Sequence, residues 1–127
     1  MSEGTITYLG SATNDLAGYE GYGGLLTATR VELAGAGTAE FLITAVGPLT
    51  AAGTSLSQPI SVRYTGKAVG YAGGTIAAGD RLQTNASGEW IVATSGQSAC
   101  AMALEIAASG ETFDLIMSGA HYAYPEA

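Results

Sequence analysis

Residues 112–118 contain the sequence Thr-Phe-Asp-Leu-Ile-Met-Ser, and this stretch decides the fold class. Every second residue from Phe113 to Met117 is apolar, and the positions between them are polar except for Ile116. A period of two places alternate side chains on opposite faces of a β-strand. The stretch therefore predicts a strand with one buried face and one face toward solvent or a partner.

Two earlier stretches alternate in the same way. In residues 60–65, Ile60, Val62 and Tyr64 fall on one face and the intervening residues are polar. In residues 25–33, one face carries the odd-numbered residues from Leu25 to Leu33 and the other carries Leu26, Ala28, Arg30 and Glu32. We predict a half-buried strand over each of these stretches.

Residues 98–107 fit two structures. Their helix propensity is high, and Gly110 would suit the end of a helix. They also alternate without a break, which places the larger apolar residues on one side and small residues or Glu105 on the other. We favour a strand, because a helix would scatter the large residues around its circumference. The strand is expected to bury Cys100, Met102, Leu104 and Ile106 together.

Glycine-centred turns separate these stretches at intervals of about 8 to 15 residues, which is typical of a β-sandwich or β-barrel. We expect loops over residues 34–39 and 47–58, and an irregular arm or long loop over residues 10–24, which are rich in Gly and Tyr. The predicted fold is all-β: one small domain of short antiparallel strands forming a sandwich or barrel. Its parts are a possible arm or loop (1–24), a β core (25–119) and a C-terminal tail (120–127).

Composition indicates a thin core. Leu, Ile, Val and Phe together make up only 25 of the 127 residues, whereas Ala alone makes up 23. A chain of this length buries about two-thirds of its unfolded surface, and few of its side chains here are large. We therefore expect it to gain burial against other subunits or a partner protein.

Charge excludes several classes of partner. The net charge is −7, and four cations (Arg30, Arg63, Lys67 and Arg81) are dispersed along the chain. Nucleic-acid binding and attraction to anionic lipid both need clustered basic residues, so we expect neither nucleic acid nor a membrane as partner. The N-terminal sequence has no secretory signal pattern, and one cysteine fits a reducing compartment. We expect synthesis in a cytoplasm.

No catalytic or metal-binding pattern stands out. His121 is the only histidine, so a zinc site built on several histidines is excluded. Cys100 is interpreted as a small buried hydrophobe rather than a nucleophile. The carboxylates are scattered, and the Gly-rich segments at 21–24 and 70–74 lack the Gly-Lys-Ser/Thr of a phosphate-binding loop. We expect no enzyme activity, no cofactor and no metal.

Tyrosine is the informative aromatic residue. The chain has seven tyrosines against two phenylalanines and one tryptophan, and five of the seven lie in Gly-rich stretches or near a terminus. Tyrosine combines apolar area with a polar tip and is enriched at protein interfaces. Covering a thin core is the alternative role. The predicted interface residues are Tyr8, Tyr19, Tyr22, Leu25, Leu26, Tyr122 and Tyr124.

Residues 67–119 resemble the small decoration, or cement, proteins of tailed-phage heads. The likeness rests on the order and spacing of a Gly79-Asp80 turn, a hairpin around Gly88, the Ala-Ser-Gly-Glu that ends at Glu111, and a last strand that ends at Gly119. The resemblance implies a β-rich protein without an active site that binds the major capsid protein on the outer surface of the virion, often as a homotrimer or other homo-oligomer. It would stabilise the head by bridging capsid subunits. The alternative is a receptor- or glycan-binding domain of a phage fibre or tail.

Overall fold

The protein is built from β-strands, which confirms the predicted fold class. A computed structural model describes residues 5–10, 14–27, 30–52, 55–94 and 98–123, and this part of the chain contains no helix. Its strands are β1 (Thr5–Gly10), β2 (Gly23–Thr27), β3 (Arg30–Leu33), β4 (Phe41–Val46), β5 (Thr50–Ala52), β6 (Ser55–Ser57), β7 (Pro59–Arg63), β8 (Thr65–Tyr71), β9 (Arg81–Thr84), β10 (Trp90–Val92), β11 (Ser98–Ala103) and β12 (Thr112–Ala123).

Five strands close into a small barrel in the order β1-β3-β2-β4-β7. The β1–β3 pair is parallel and the other pairs are antiparallel. The barrel encloses a compact set of β-branched and leucine side chains, which are Leu16, Val31, Ile43, Ile60 and Val62. The prediction for residues 60–65 is confirmed as far as Arg63, where β7 ends with Ile60 and Val62 fully buried; Tyr64 is half-buried between β7 and β8.

The second sheet has five strands in the order β10-β9-β11-β12-β8. One face packs into a core around Trp90 and Phe113, to which the barrel side contributes Leu42. The prediction for residues 112–118 is confirmed: β12 buries alternate residues from Phe113 to Met117 and leaves Ile116 exposed. The strand continues to Ala123, so the predicted tail over residues 120–127 begins within β12.

Residues Gly21 and Tyr22 join the two sheets. Ile43 in the barrel exchanges two backbone hydrogen bonds with them, since the Gly21 N–H donates to Ile43 O and the Ile43 N–H donates to Tyr22 O. The Gly21 carbonyl accepts from the Tyr71 N–H at 3.0 Å and from the Trp90 indole N–H at 3.0 Å. Gly21 has a φ of 93°, a backbone conformation that favours glycine. This segment fixes the second sheet against the barrel.

The single strand predicted over residues 25–33 is wrong, because β2 and β3 form an antiparallel hairpin there. Leu26 lies opposite Val31, and both pack toward the barrel core. The residues between Leu25 and Leu33 include neither Gly nor Pro, so the turn has no sequence signal.

The loop predicted over 47–58 is also corrected, since β5 and β6 pair antiparallel within it. The loop over 34–39 is confirmed.

The irregular Gly- and Tyr-rich stretch is confirmed for residues 14–22, but it does not stand away from the body as an arm. Leu16 is buried in the barrel core, where its N–H donates to the Gln58 side chain at 3.0 Å. Residues 5–10, at the start of the predicted arm or loop, form β1. They pair antiparallel with β7 and parallel with β3, which makes them part of the barrel wall.

The strand predicted over residues 98–107 exists from Ser98 to Ala103, but its predicted orientation is wrong. Ala101 and Ala103 face the core, whereas Met102, Leu104 and Ile106 are exposed. The cause lies in the flanking strands: Ala101 lies between Leu82 and Met117, and Ala103 lies beside Leu115. These large neighbours fill the layer and leave room only for methyl groups on β11. The Cys100 side chain lies outside the described residues.

Candidate functional site

The outward side of the second sheet carries an exposed apolar surface, which we name the β11–β12 face. It comprises Met102 and Ile116 on the paired strands, together with the exposed Leu104 and Ile106, which follow directly after the end of β11. Met102 lies directly opposite Ile116 in the β11–β12 pair, and the Leu104 N–H donates to Asp114 O. Their exposed fractions range from 38 % at Met102 and Ile116 to 75 % at Ile106. Neighbouring apolar side chains of this size outside a core are typical of a binding surface.

Charges of both signs border this face. Met102 lies opposite Arg81, and Ile116 lies opposite Lys67. The Lys67 ammonium pairs with the Asp114 carboxylate at 3.3 Å, an exposed ion pair that adds little to stability. Glu105 accepts a hydrogen bond from the Asp114 N–H at 2.7 Å. Two cations therefore offset two carboxylates here, although the whole chain has a net charge of −7. The face suits apolar contact with a polar rim.

Sequence reasoning missed the β11–β12 face. Its residues include three of the four side chains that the alternation of residues 98–107 assigned to the core, since the orientation was inverted. The available signal was Ile116, the single apolar residue on the polar side of its stretch. An apolar residue on the outer face of one strand favours apolar partners on the strands beside it, because residues directly opposite share a face.

Tyr19 and Tyr22, two of the predicted interface residues, lie together. Their rings meet edge to face at a centroid distance of 4.9 Å, and Tyr22 also stacks on Tyr71 at 4.9 Å with 9° between the ring planes. Burial raises the pKa of the Tyr22 hydroxyl, with further contributions from Tyr71, Glu89 and Tyr19. The three rings cover the junction between the barrel and the second sheet. Tyr71 was not among the predicted residues.

The other predicted interface residues do not share one surface. Tyr8 lies in β1 with its ring centroid 6.0 Å from that of Phe41, packed against the barrel core. Leu25 packs against the core of the second sheet and Leu26 against that of the barrel. The Tyr122 side chain and the whole of Tyr124 lie outside the described residues. The interface role of all seven stays a prediction.

A buried glutamine organises the loop beside the barrel. The Gln58 amide donates to Asp15 Oδ1 at 3.0 Å and to Gly47 O at 3.2 Å, and its carbonyl accepts from Leu16. The Ala17 N–H also donates to Asp15 Oδ1 at 2.9 Å. The hydrogen bond from Ala17, followed by that from Gln58, lowers the pKa of the Asp15 carboxyl. These bonds hold the 14–22 loop on the barrel.

Within the described ranges, no group of three or more His, Cys, Asp or Glu side chains is placed to hold a metal ion. That same part of the chain contains no helix of the length and hydrophobicity that a bilayer span requires.

Comparison with known proteins finds a likeness to a solved structure. The fold is similar to that of the N base of the head fiber gp8.5 of bacteriophage phi29, with a TM-score of 0.64. The match covers 94 % of this chain and 99 % of that chain, at 17 % sequence identity. At this identity the likeness is one of fold. No protein-family model matches the chain, and no curated protein matches it.

Proposed function

We propose that this protein is a structural protein of a phage head, which binds the outside of the capsid and stabilises it by bridging capsid subunits. The observation that carries the proposal is the likeness of fold, over nearly the whole of both chains, to the base of a phage head fiber. The resemblance of residues 67–119 to capsid decoration proteins supports the same class of function independently of that comparison. The role is structural rather than catalytic, and the partner is the major capsid protein.

The β11–β12 face is the surface that we assign to capsid binding. Met102 and Ile116 are already exposed on a hydrogen-bonded sheet, so little ordering free energy is lost there on binding. A protein with a net charge of −7 and only four cations lacks the means for a broad electrostatic contact with an acidic surface. Apolar burial therefore supplies the main stabilisation. The thin core fits association into a homotrimer or another homo-oligomer on the head.

The proposed function is tested by measuring how much of the protein binds to phage heads that were prepared without it. The experiment titrates the protein onto DNA-free heads of its phage from low salt to about 1 M salt, where the screening length falls to about 3 Å. We expect saturable binding that holds or strengthens as salt rises, because screening does not weaken apolar burial. DNA-free heads separate a capsid protein from a tail component, which would not bind them.

Two results would contradict the proposal. Absence of saturable binding to heads, together with binding of the isolated protein to a glycan array, would favour the receptor- or glycan-binding alternative. A fall in affinity of several orders of magnitude with rising salt would show that charged side chains, not the β11–β12 face, hold the protein on the capsid.

A further inference from the structure

The second sheet contains one structural unit twice. Residues 70–84 form the first unit and residues 101–115 form the second, so each residue of the second unit follows its counterpart by 31 positions. The two units pair crosswise, and equivalent residues have equivalent partners. Gly70 and Tyr71 lie opposite Phe113 and Thr112, and their counterparts Ala101 and Met102 lie opposite Leu82 and Arg81. Each unit therefore provides the strand that pairs with the other.

Each unit also contains the same turn. Gly79 and Gly110 occupy equivalent positions and have φ angles of 90° and 89°. In each turn, a carboxylate accepts a hydrogen bond at 2.8 Å from the backbone N–H of the alanine three residues before it. These bonds join Ala77 to Asp80 in the first turn and Ala108 to Glu111 in the second. The sequence resemblance between the two turns thus extends to their backbone geometry and their side-chain bonds.

Each turn is anchored to the other unit. The Gly79 N–H donates to Ala103 O and the Gly110 N–H donates to Ala72 O, both at 2.8 Å. The two alanines are counterparts, and both are buried. Their own N–H groups return the contact at 2.9 Å, with Ala103 donating to Asp80 O and Ala72 donating to Glu111 O. The first turn therefore closes on the second unit, and the second turn closes on the first.

Ile76 and Ala107 lie at the centre of this arrangement. They are counterparts of each other, and they exchange two backbone hydrogen bonds at 2.9 and 3.0 Å. Contacts across a two-fold axis are reciprocal in this way. The two units are thus related by an approximate two-fold axis inside one chain, and Ile76 and Ala107 are both buried in the core of the second sheet. We name residues 70–84 and 101–115 together the two-fold frame.

The two units differ in the segment that leads from the buried alanine to the axis. Residues 73–75 are Gly-Gly-Thr in the first unit, and residues 104–106 are Leu-Glu-Ile in the second. Gly73 is covered by its own chain, because a Cβ added there would lie 2.7 Å from Glu89 Cβ. The hydrogen bonds at both ends of the segment are nevertheless the same in the two units. The frame therefore forms without large side chains in this segment.

We infer that the two units act as one interlocked frame, and that the second unit uses it to hold Leu104 and Ile106 outward for contact with the capsid protein. The two side chains are 41 % and 75 % exposed. Since the first unit builds the same frame around Gly-Gly-Thr, the apolar side chains at these positions are explained by a partner rather than by folding. Only the identity of that partner rests on the proposed function.

Native-state hydrogen exchange of the full chain tests whether the frame opens as one piece. Gly79→Ala strains the first turn through its positive φ alone, because nothing lies within 4 Å of the added Cβ. Exchange should become about tenfold faster at the amides of Gly110 and Ala72, both of which bond outside the first turn. Gly18→Ala is the matched control, since Gly18 has a φ of 88° and equally open surroundings in the 14–22 loop. It should leave both amides unchanged.

Gly110→Ala should have the reciprocal effect at the amides of Gly79 and Ala103. Faster exchange that is confined to the substituted turn would overturn the inference, because the two turns would then open independently. Equal acceleration by Gly18→Ala would overturn it as well, because these amides would then report unfolding of the whole chain.

Exchanging side chains between equivalent positions tests how the frame is used. Ile106→Thr introduces the residue of its counterpart, Thr75, and should leave hydrogen exchange throughout the frame unchanged. Affinity for heads that lack the protein should fall about tenfold, as expected for the loss of an interface contact. Thr75→Ile is the matched control, since both positions are exposed, and it should change neither exchange nor affinity.

The outcomes of these two experiments separate the inference from the proposed function. Full affinity of Ile106→Thr for heads, or faster exchange across the frame in that variant, overturns the inference and leaves the proposed function standing. Wild-type protein that does not bind heads overturns the proposed function, whereas coupled exchange between the two turns would still support the interlocked frame.

Discussion

Strands β7 and β11 carry the same alternation in sequence but use it in opposite ways. β7 turns its large residues, Ile60 and Val62, into the barrel, where both are fully buried. β11 turns Ala101 and Ala103 inward and leaves Met102 at the surface. In the barrel, the fully buried residues are Val, Ile and Leu side chains from β3, β4, β7 and the 14–22 loop. In the second sheet, Trp90 and Phe113 already occupy the layer, and β11 completes it with methyl groups.

This difference shows that alternation predicts a strand but not which face of it is buried. A one-residue shift in pairing exchanges the two faces of a strand, and the neighbours decide between the two arrangements. Beside β11 these neighbours are Leu82, Leu115 and Met117, all of them large and buried. The larger side chains are then left exposed, which is why the inverted strand marks the candidate binding surface.

The largest expected effect is a difference in the free energy of unfolding between a variant in β7 and a variant just after β11. Ile60→Ala should lower the free energy of unfolding by about 2–5 kcal/mol, because it opens a cavity in the barrel core. Leu104→Ala, at a site that is 41 % exposed, should cost less than about 1 kcal/mol, since only part of the side chain leaves water on folding. Denaturant titration of both variants measures these values. Equal losses would mean that Leu104 is buried, as the alternation first predicted.

Part of the fold could be predicted from the sequence. Strands over residues 60–65 and 112–118 were predicted with the correct buried faces, because apolar positions there alternate with polar ones. The turn between β2 and β3 was missed because residues 26–32 contain neither Gly nor Pro. The β5–β6 hairpin was missed, although Gly53 lies between its strands, because each strand is only three residues long. The junction at Gly21 and Tyr22 was beyond prediction, because it depends on how this segment bonds to one strand of each sheet. No local pattern encodes that arrangement.

Enlarging a side chain on the inner or the outer side of β11 tests the same packing argument. Ala103→Leu should destabilise the protein by about 1–3 kcal/mol, because the inner side of β11 has no room beside Leu115. Met102→Leu, on the outer side of the same strand, conserves volume and should be nearly neutral. Thermal unfolding of the pair provides the measurement. A stable Ala103→Leu variant would show that the layer has free space and that packing does not explain the orientation of β11.

A smaller difference concerns buried glutamines on the two sides of the molecule. Gln58→Met should cost about 1–3 kcal/mol, because Gln58 satisfies the Leu16 N–H and Gly47 C=O where the loop meets the barrel. Gln83→Met, in the second sheet, removes the acceptor of the Thr94 N–H and should cost less, since Thr94 is exposed to water. Denaturant titration ranks the two. The reverse order would place the more important polar anchor in the second sheet.

Asp15 should make the barrel side weakly sensitive to acid. Its pKa in the folded protein lies below the ordinary value of 3.8, so its contribution to stability is present above that value. The contribution is lost as pH falls through the lowered pKa of the folded state. Asp15→Asn should be slightly less stable than the wild type at neutral pH, and the difference should vanish in strong acid. Melting temperatures across this range check the convergence. A difference that persists in acid would contradict the role of the charge.

The central claim, that the protein binds capsids through the face left outside by β11, is tested most directly by a pair of triple variants. Met102→Ser, Ile106→Ser and Ile116→Ser together remove the apolar character of the β11–β12 face. Ile6→Ser, Leu9→Ser and Leu49→Ser together remove exposed apolar side chains on the barrel side and serve as the matched control. The changed residues are 37–42 % exposed except for Ile106 at 75 %, so both variants lose some apolar burial, and their melting temperatures are measured first to establish that each variant folds.

Affinity for heads that lack the protein is the deciding measurement. The β11–β12 triple variant should lose at least about a hundredfold in affinity, as expected when several central contacts of an interface are removed. The barrel-side variant should bind as the wild type does. Undiminished binding by the β11–β12 variant, or an equal loss in both variants, would contradict the account.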